Sequence, residues 1–332
     1  MTNRLFSTTA LLVCLASATA MAADFTVRFA TIAPEGTPWS EQLLAMQGRI
    51  TRESGGRIDF KLYMGGQLGG EVETLASLKR GRIQGWGGST AALATVLPAL
   101  EVIELPFLFN NDAEVDHVLD TVLFDDMRAR LAAKGLVLAS WNENGWRSVG
   151  TRGKAVRRPA DLAGLKVRSQ QSKLHLKMWQ AFGANAVPLS LPEVLSALQT
   201  GVVNAFDNSP LFAAAASWHT AIDHFTLTEH MYQAGAVVYS QRLLQELPPD
   251  LQKILLGDPL AEAQRGRAGV RTLTPEILAI MRDARVAVIQ LTPEERDTWR
   301  RLALPLHDAH AEVVGRDLLE KVRTALREYR SQ

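Results

Sequence analysis

The chain has 332 residues, 47% hydrophobic and 21% charged, with 24 glycines and 14 prolines. That is the composition of a folded protein of about two domains, and it excludes a disordered, collagen-like or coiled-coil chain. With 36 basic and 35 acidic side chains the net charge is +1, so no basic surface argues for nucleic acid, and a single cysteine excludes an intrachain disulfide and a cysteine-built zinc site.

The N-terminus carries Arg4, an apolar stretch from Leu5 to Leu15 and Ala20-Met21-Ala22 before a polar start. This reads as a Sec-type signal peptide over residues 1–22, too short for a spanning helix. Leu11-Leu12-Val13-Cys14 has Val where a lipidation signal needs a small residue. Cleavage after Ala22 removes Cys14 and predicts a soluble, cysteine-free protein in the periplasm, where a free thiol would risk mispairing.

Phe25 to Ile32 alternates as a strand does. Thr37-Pro38 supplies an N-cap and an N1 proline for a helix to about Glu53, closed by Gly55-Gly56. Ile58 to Tyr63 reads as a strand, Glu71 to Lys79 as a helix, and Ile83 as a short strand. Helical patterns follow at Glu114–Asp120 and Asp125–Lys134, then a strand at Leu136–Trp141. After Pro159 the same alternation returns, with strands at Leu165–Arg168, Ala186–Leu189 and Val202–Phe206. Helices at Ser172–Phe182 and Glu193–Gln199 separate them. After Val237 the pattern reads as helical to the end, with a long helix from Pro249 towards Arg282 broken near Gly257-Asp258-Pro259. Alternating strands and helices predict an α/β protein with largely parallel sheets. No internal repeat or flexible linker interrupts the chain, so two domains would be joined by covalent crossovers of the chain rather than by a tether.

Chemistry-bearing motifs are sparse. Gly65–Gly70 and Gly85–Thr90 are glycine-rich, but neither has a phosphate-loop lysine or dinucleotide spacing, and both read as strand-to-helix turns. His219, His224 and His230 cluster in sequence, and His307 and His310 lie one helical turn apart. No third ligand is spaced to complete a metal site. No serine has a base partner, and no carboxylate pair marks a catalytic centre. Arginines and amides at strand ends remain, where open α/β sheets collect ligands. Arg168 ends one strand and can hold a carboxylate through two parallel hydrogen bonds. Asn208 ends another and could fix a further ligand oxygen. Arg147 follows the Trp141–Trp146 stretch, which also contains Asn144.

The stretch from Arg158 to Arg168, RPADLAGLKVR, resembles the P-x-D-L-x-G-L-K-[IV]-R signature of TRAP-transporter solute-binding proteins, the DctP-type periplasmic receptors. Further similarities stand in order: Gly65–Gly70, Leu105–Phe109, Gly145-Trp146-Arg147, Phe182–Leu189 and Glu193–Asn208. The resemblance implies a two-lobed periplasmic binding protein of type II-like architecture. Each lobe would be a mixed, mainly parallel sheet flanked by helices, with a long helix spanning both. Lobe I would hold residues 23–145 plus about 235–275, and lobe II 146–234 plus about 276–332. Carried over residue by residue, it implies that Arg168 grips the ligand carboxylate, with Arg147 as a second arginine and Asn208 lining the cleft. Trp86, Leu191 and Asn144 complete the expected ligand-binding set. Leu191 and Leu195 stand where members that bind small acids often carry aromatic side chains. With Trp86, Trp141 and Trp146 near, the pattern favours a monocarboxylate with a hydrophobic body over a C4-dicarboxylate. The implied partners are a small organic acid and the small and large TRAP membrane subunits, energised by an ion gradient; no cofactor is implied. A ligand-sensing receptor and an exported enzyme on the same scaffold are the alternatives.

Overall fold

The computed structural model describes residues 23–332; the expected signal peptide, residues 1–22, lies outside the described residues. Among the described residues nine strands are β1 (Phe25–Thr31), β2 (Ile58–Tyr63), β3 (Gly85–Ser89), β4 (Leu136–Thr151), β5 (Lys166–Ser169), β6 (Asn185–Pro188), β7 (Ala205–Asn208), β8 (His224–Ser240) and β9 (Ala287–Gln290). They form one sheet in the order β2-β1-β3-β8-β4-β7-β5-β6, with β9 on β8. The pairs β1–β2, β1–β3, β5–β6, β5–β7 and β8–β9 are parallel, whereas β8 runs antiparallel to β3 and β4, and β4 antiparallel to β7.

Two strands join the halves. β4 has 16 residues and β8 has 17, and at about 3.3 Å per residue each extends about 50 Å, enough to cross both lobes. The end of β8 pairs with β3 (Trp86 opposite Val238), and the end of β4 pairs with β7 (Ser148 opposite Asn208). Between them the β4–β8 ladder shifts register at Leu138/Ser140, Glu143/Gly145 and Arg147/Val149. Bulges of this kind bend strands and re-aim side chains, and here they place Asn144, Arg147 and Gln233 at the junction of the lobes.

Several elements form for the reasons their sequences suggest. Thr37 caps the helix Pro38–Glu53, its side chain accepting from the Ser40 amide at 3.2 Å while Ser40 Oγ accepts from the Thr37 amide at 3.0 Å. That helix buries Leu43, Met46 and Ile50 with Phe29 and Tyr239 on one side of the first-lobe sheet. The helix break falls at Gly257, where φ is +61°, and Asp258 then caps the 25-residue helix Pro259–Asp283. The long helix buries Ala263 in the first core and Met281 in the second, so it spans both lobes.

Other expectations change. The glycine-rich stretch Gly85–Ser89 is strand β3 itself, one step after the strand expected at Ile83. Its glycines leave room for the rings of Phe29 and Trp86, which occupy the space a Cβ would need at Gly85 and Gly88. β4 continues ten residues past Trp141, and β8 and β9 occupy stretches read without strands. The last helix, Arg316–Arg330, was placed in lobe II with residues 276–332. It packs instead in the first core: Leu318, Leu319, Val322 and Leu326 recur at helical spacing and bury with Leu100, Val118 and Leu123. No helix among the described residues is long and apolar enough to cross a membrane.

Candidate functional site

Arg168 lies near the end of β5, between Val187 of β6 and Phe206 of β7. Sheet pairing on both sides fixes its backbone, and the side chain is 1% exposed. Nε and Nη2 donate to the Leu189 carbonyl at 3.2 and 2.9 Å. Nη1 is buried and donates to nothing among the described residues. A guanidinium has five N–H groups, and one left unmet in a buried site is costly. Burial, and then the charge of Arg147, bring its pKa down to about 9, while Asp207 and Glu71 push the other way. The guanidinium carbon stands 5.4 Å from the Trp218 ring, within cation–π range.

Arg168 faces a narrow slot of about 20 Å³, roughly the room of one water. Glu71, Val72, Ala91 and Ala92 of the first lobe line one side, and Gln170, Leu189 and Leu191 of the second line the other. Glu71 begins the helix Glu71–Lys79 and accepts from the Ser89 amide at 2.6 Å and the Ser89 hydroxyl at 3.0 Å. Burial raises its pKa, and those two hydrogen bonds oppose the rise. Leu191 also lines an adjoining apolar chamber of about 270 Å³, together with Ile32, Pro34, Leu195, Phe212 and Trp218.

Arg147 is equally buried, but its donors are engaged. Nε reaches Asp207 Oδ2 at 2.6 Å, Nη2 the Asp207 carbonyl at 2.6 Å, and Nη1 reaches Gln233 Oε1 at 2.7 Å and Asn208 Oδ1 at 3.3 Å. Burial would push Asp207 up; Arg147 and His230, whose Nε2 is 3.4 Å away, hold it well below the usual carboxylate range. Gln233 passes the network on, donating to Gln170 at 2.6 Å and to Glu104 at 3.0 Å, and Glu104 meets His175 at 2.6 Å. Arg147 lines neither the slot nor the chamber.

Asn208 Oδ1 accepts from Arg147, Asn144 and the Ser209 amide, while its Nδ2 donates to no group among the described residues. Gln170 is arranged alike: its Oε1 accepts from Gln233, and its Nε2 donates to none of them. Sequence reading missed Gln170, although a residue two positions after Arg168 carries the same side-chain parity. It also missed Glu71, Phe212 and Trp218, because nothing local marks a helix-start glutamate or two aromatic residues as cleft walls.

Asn208, like Arg147, lines neither space, and two further expected residues stand elsewhere. Trp86 is fully buried in the first core, its indole N–H donating to Thr74 at 3.1 Å, so it supports the slot from behind without lining it. Asn144 is committed to Asn208 at 3.0 Å and Gln233 at 2.6 Å. It lines a separate cavity of about 400 Å³ with Trp146, Arg271 and Arg296. There Arg271 is paired with Glu143 and Asp116, and Arg296 with Glu229. Trp141 is in the core, bonded to the Leu119 carbonyl. His307 and His310 diverge to the Pro106 carbonyl and to Glu101.

Residues 29–313 match the family model of bacterial extracellular solute-binding proteins, family 7, named DctP. The chain belongs to this family. As a member it is a solute-binding receptor of the TRAP type. It is similar to the 2,3-diketo-L-gulonate-binding periplasmic protein YiaO of Escherichia coli, 31% identical over 70% of this chain and 71% of that one. It is 28% identical to the C4-dicarboxylate-binding periplasmic protein DctP of Rhodobacter capsulatus, over 94% of each chain. Among solved structures, the sugar acid binding protein DctPAm of Advenella mimigardefordensis, in complex with galactonate, superposes with a TM-score of 0.88 at 24% identity. That match covers 92% of this chain and 99% of the other.

Proposed function

We propose that the protein captures an organic acid through its carboxylate in the cleft between the lobes and presents it to membrane subunits for uptake. The observation that carries this is Arg168 Nη1, a buried cationic donor with no partner, facing a slot walled by both lobes. The Nη1 side of the guanidinium remains for a carboxylate, because the other edge is occupied by Leu189. Asn208 Nδ2 and Gln170 Nε2 are the further donors proposed for its oxygens. The named ligands of the relatives and of the structural neighbour support the reading, since 2,3-diketo-L-gulonate, C4-dicarboxylates and galactonate all carry a carboxylate.

Binding would couple to closure electrostatically. A carboxylate neutralises Arg168, so the lobes close without sequestering an unpaired charge. Because the ligand touches both lobes only in the closed form, it shifts the open–closed population by that difference in affinity. The closed surface is then what the small and large TRAP membrane subunits recognise, outside the cytoplasm, and the protein acts by binding without turnover. Purification under native conditions, denaturation and mass spectrometry of the released solute test this. A carboxylic acid is expected, and a neutral or cationic solute would overturn it.

A further inference from the structure

We infer that the ligand carries a single carboxylate on an apolar body, and that this body lies in the chamber beside Leu191 and Trp218. The inference rests on the receptor reading above and adds the class of solute. Slot and chamber adjoin: Leu191 lines both, and Trp218, a chamber wall, sits 5.4 Å from the Arg168 guanidinium carbon. A carboxylate held at Arg168 therefore directs its substituent along the Leu191–Trp218 wall.

The walls then select. Ile32, Pro34, Leu191, Leu195, Phe212 and Trp218 are apolar, and the remaining chamber positions are glycine, alanine and proline. The indole N–H of Trp218 is the one side-chain polar group among them. Gly65 and Gly66 turn their amides back to the carbonyls of Ala33 and Thr31, at 2.9 and 3.1 Å, and so offer no donor there. Leu191, Leu195 and Phe212 are only half-buried, unlike the core leucines around them. These exposed apolar faces on the chamber gain from covering.

Charge points the same way. Among the described residues Arg168 is the only cation lining either space, and the one charged neighbour is the Glu71 carboxyl. The second carboxylate of a dicarboxylate would enter the chamber without a counter-ion, and the hydroxyls of a sugar acid would lie against leucine and phenylalanine unpaired. Size permits an aryl or branched-chain body: an apolar cavity of about 150 Å³ takes up benzene, and this chamber holds about 270 Å³. Gly65 and Ala215 at its rim are exposed, leaving an outlet for a longer tail.

Calorimetric titration of the purified protein, stripped of bound solute, with pyruvate, 4-methyl-2-oxopentanoate, phenylpyruvate, succinate and galactonate tests the inference. Affinity is expected to rise in that order through the three 2-oxo acids, by about tenfold or more from the first to the last, with succinate and galactonate weakest. Leu195→Asn, at a half-buried position, is expected to shrink the phenylpyruvate-to-pyruvate affinity ratio by about fivefold. Succinate or galactonate binding more tightly than phenylpyruvate, with the binding lost in Arg168→Ala, would overturn the apolar body and leave the receptor reading intact. An unchanged ratio in Leu195→Asn would move the body out of the chamber. Absence of binding by all five acids would overturn the carboxylate reading and this inference with it.

Discussion

Arg147 and Arg168 sit on β4 and β5, strands that both pair with β7, and are 0% and 1% exposed. Around Arg147 the protein supplies a carboxylate, a carbonyl and two amide oxygens. Around Arg168 it supplies one carbonyl and an inter-lobe slot, and leaves Nη1 bare. Two identical side chains at similar depth are thus given opposite tasks. A guanidinium bonded through all three nitrogens fastens the lobe junction, whereas one with an unmet nitrogen stores an interaction that only an anion completes. Burial of an arginine does not by itself mark a ligand site; the count of unmet donors does.

The widest separation between the two should appear on truncation. Arg147→Ala leaves Asp207 buried without its counter-ion and is expected to destabilise the fold by about 3–5 kcal/mol, measured by denaturant unfolding. Arg168→Ala is expected to cost a comparable several kcal/mol in carboxylate affinity, yet to leave the ligand-free melting temperature unchanged or raised, because it removes a charge the protein does not pair. A loss of stability equal to that of Arg147→Ala would erase the distinction. Arg168→Lys is expected to recover only part of the affinity, since an ammonium cannot offer two parallel donors.

Titration sharpens the same contrast. The folded pKa of Arg168, about 9, lies below its unfolded value, and a bound carboxylate requires the proton to stay. Affinity is therefore expected to be flat at neutral pH and to fall above about 9, by up to about tenfold per pH unit. Asp207 is depressed instead. Its contribution to stability is fully present above the ordinary carboxylate pKa of about 3.9 and is lost as pH falls through the depressed folded value. Asp207→Asn should flatten that acid limb of the unfolding profile and, because the Asp207 charge holds the Arg168 pKa up, move the alkaline limb of binding to lower pH. The smallest effects belong to the amides: Gln170→Leu is expected to weaken binding by about 1.5–3 kcal/mol, the worth of one hydrogen bond to a charged group.

The sequence made the repeating strand–helix units legible because period-2 and period-3.6 patterns, Thr37, Asp258 and the flanking glycines all act locally. Arg168 and Asn208 were legible as strand-end residues. β8 was not, because its middle carries Thr226, Thr228, His230 and Gln233, buried on both faces, and buried polar residues break the apolar alternation that announces a strand. Trp86 was read into the cleft because sequence does not say which face of a glycine strand meets the core. Asn144 was read there because its commitment to Asn208 and Gln233 depends on strands 64 and 89 residues away. Gln170 and Trp218 are hidden for the same reason: the Gln233 and Arg168 they meet lie 63 and 50 residues away along the chain.

The central claim is that Arg168 is held without a partner so that a ligand carboxylate can supply one. Calorimetric titration of Arg168→Met with the acid released from the native protein addresses it most directly. The account predicts that binding is lost or weakened by at least about a hundredfold, in a protein that melts no earlier than the wild type when ligand-free. Binding at wild-type affinity would contradict it and would place the carboxylate elsewhere in the cleft.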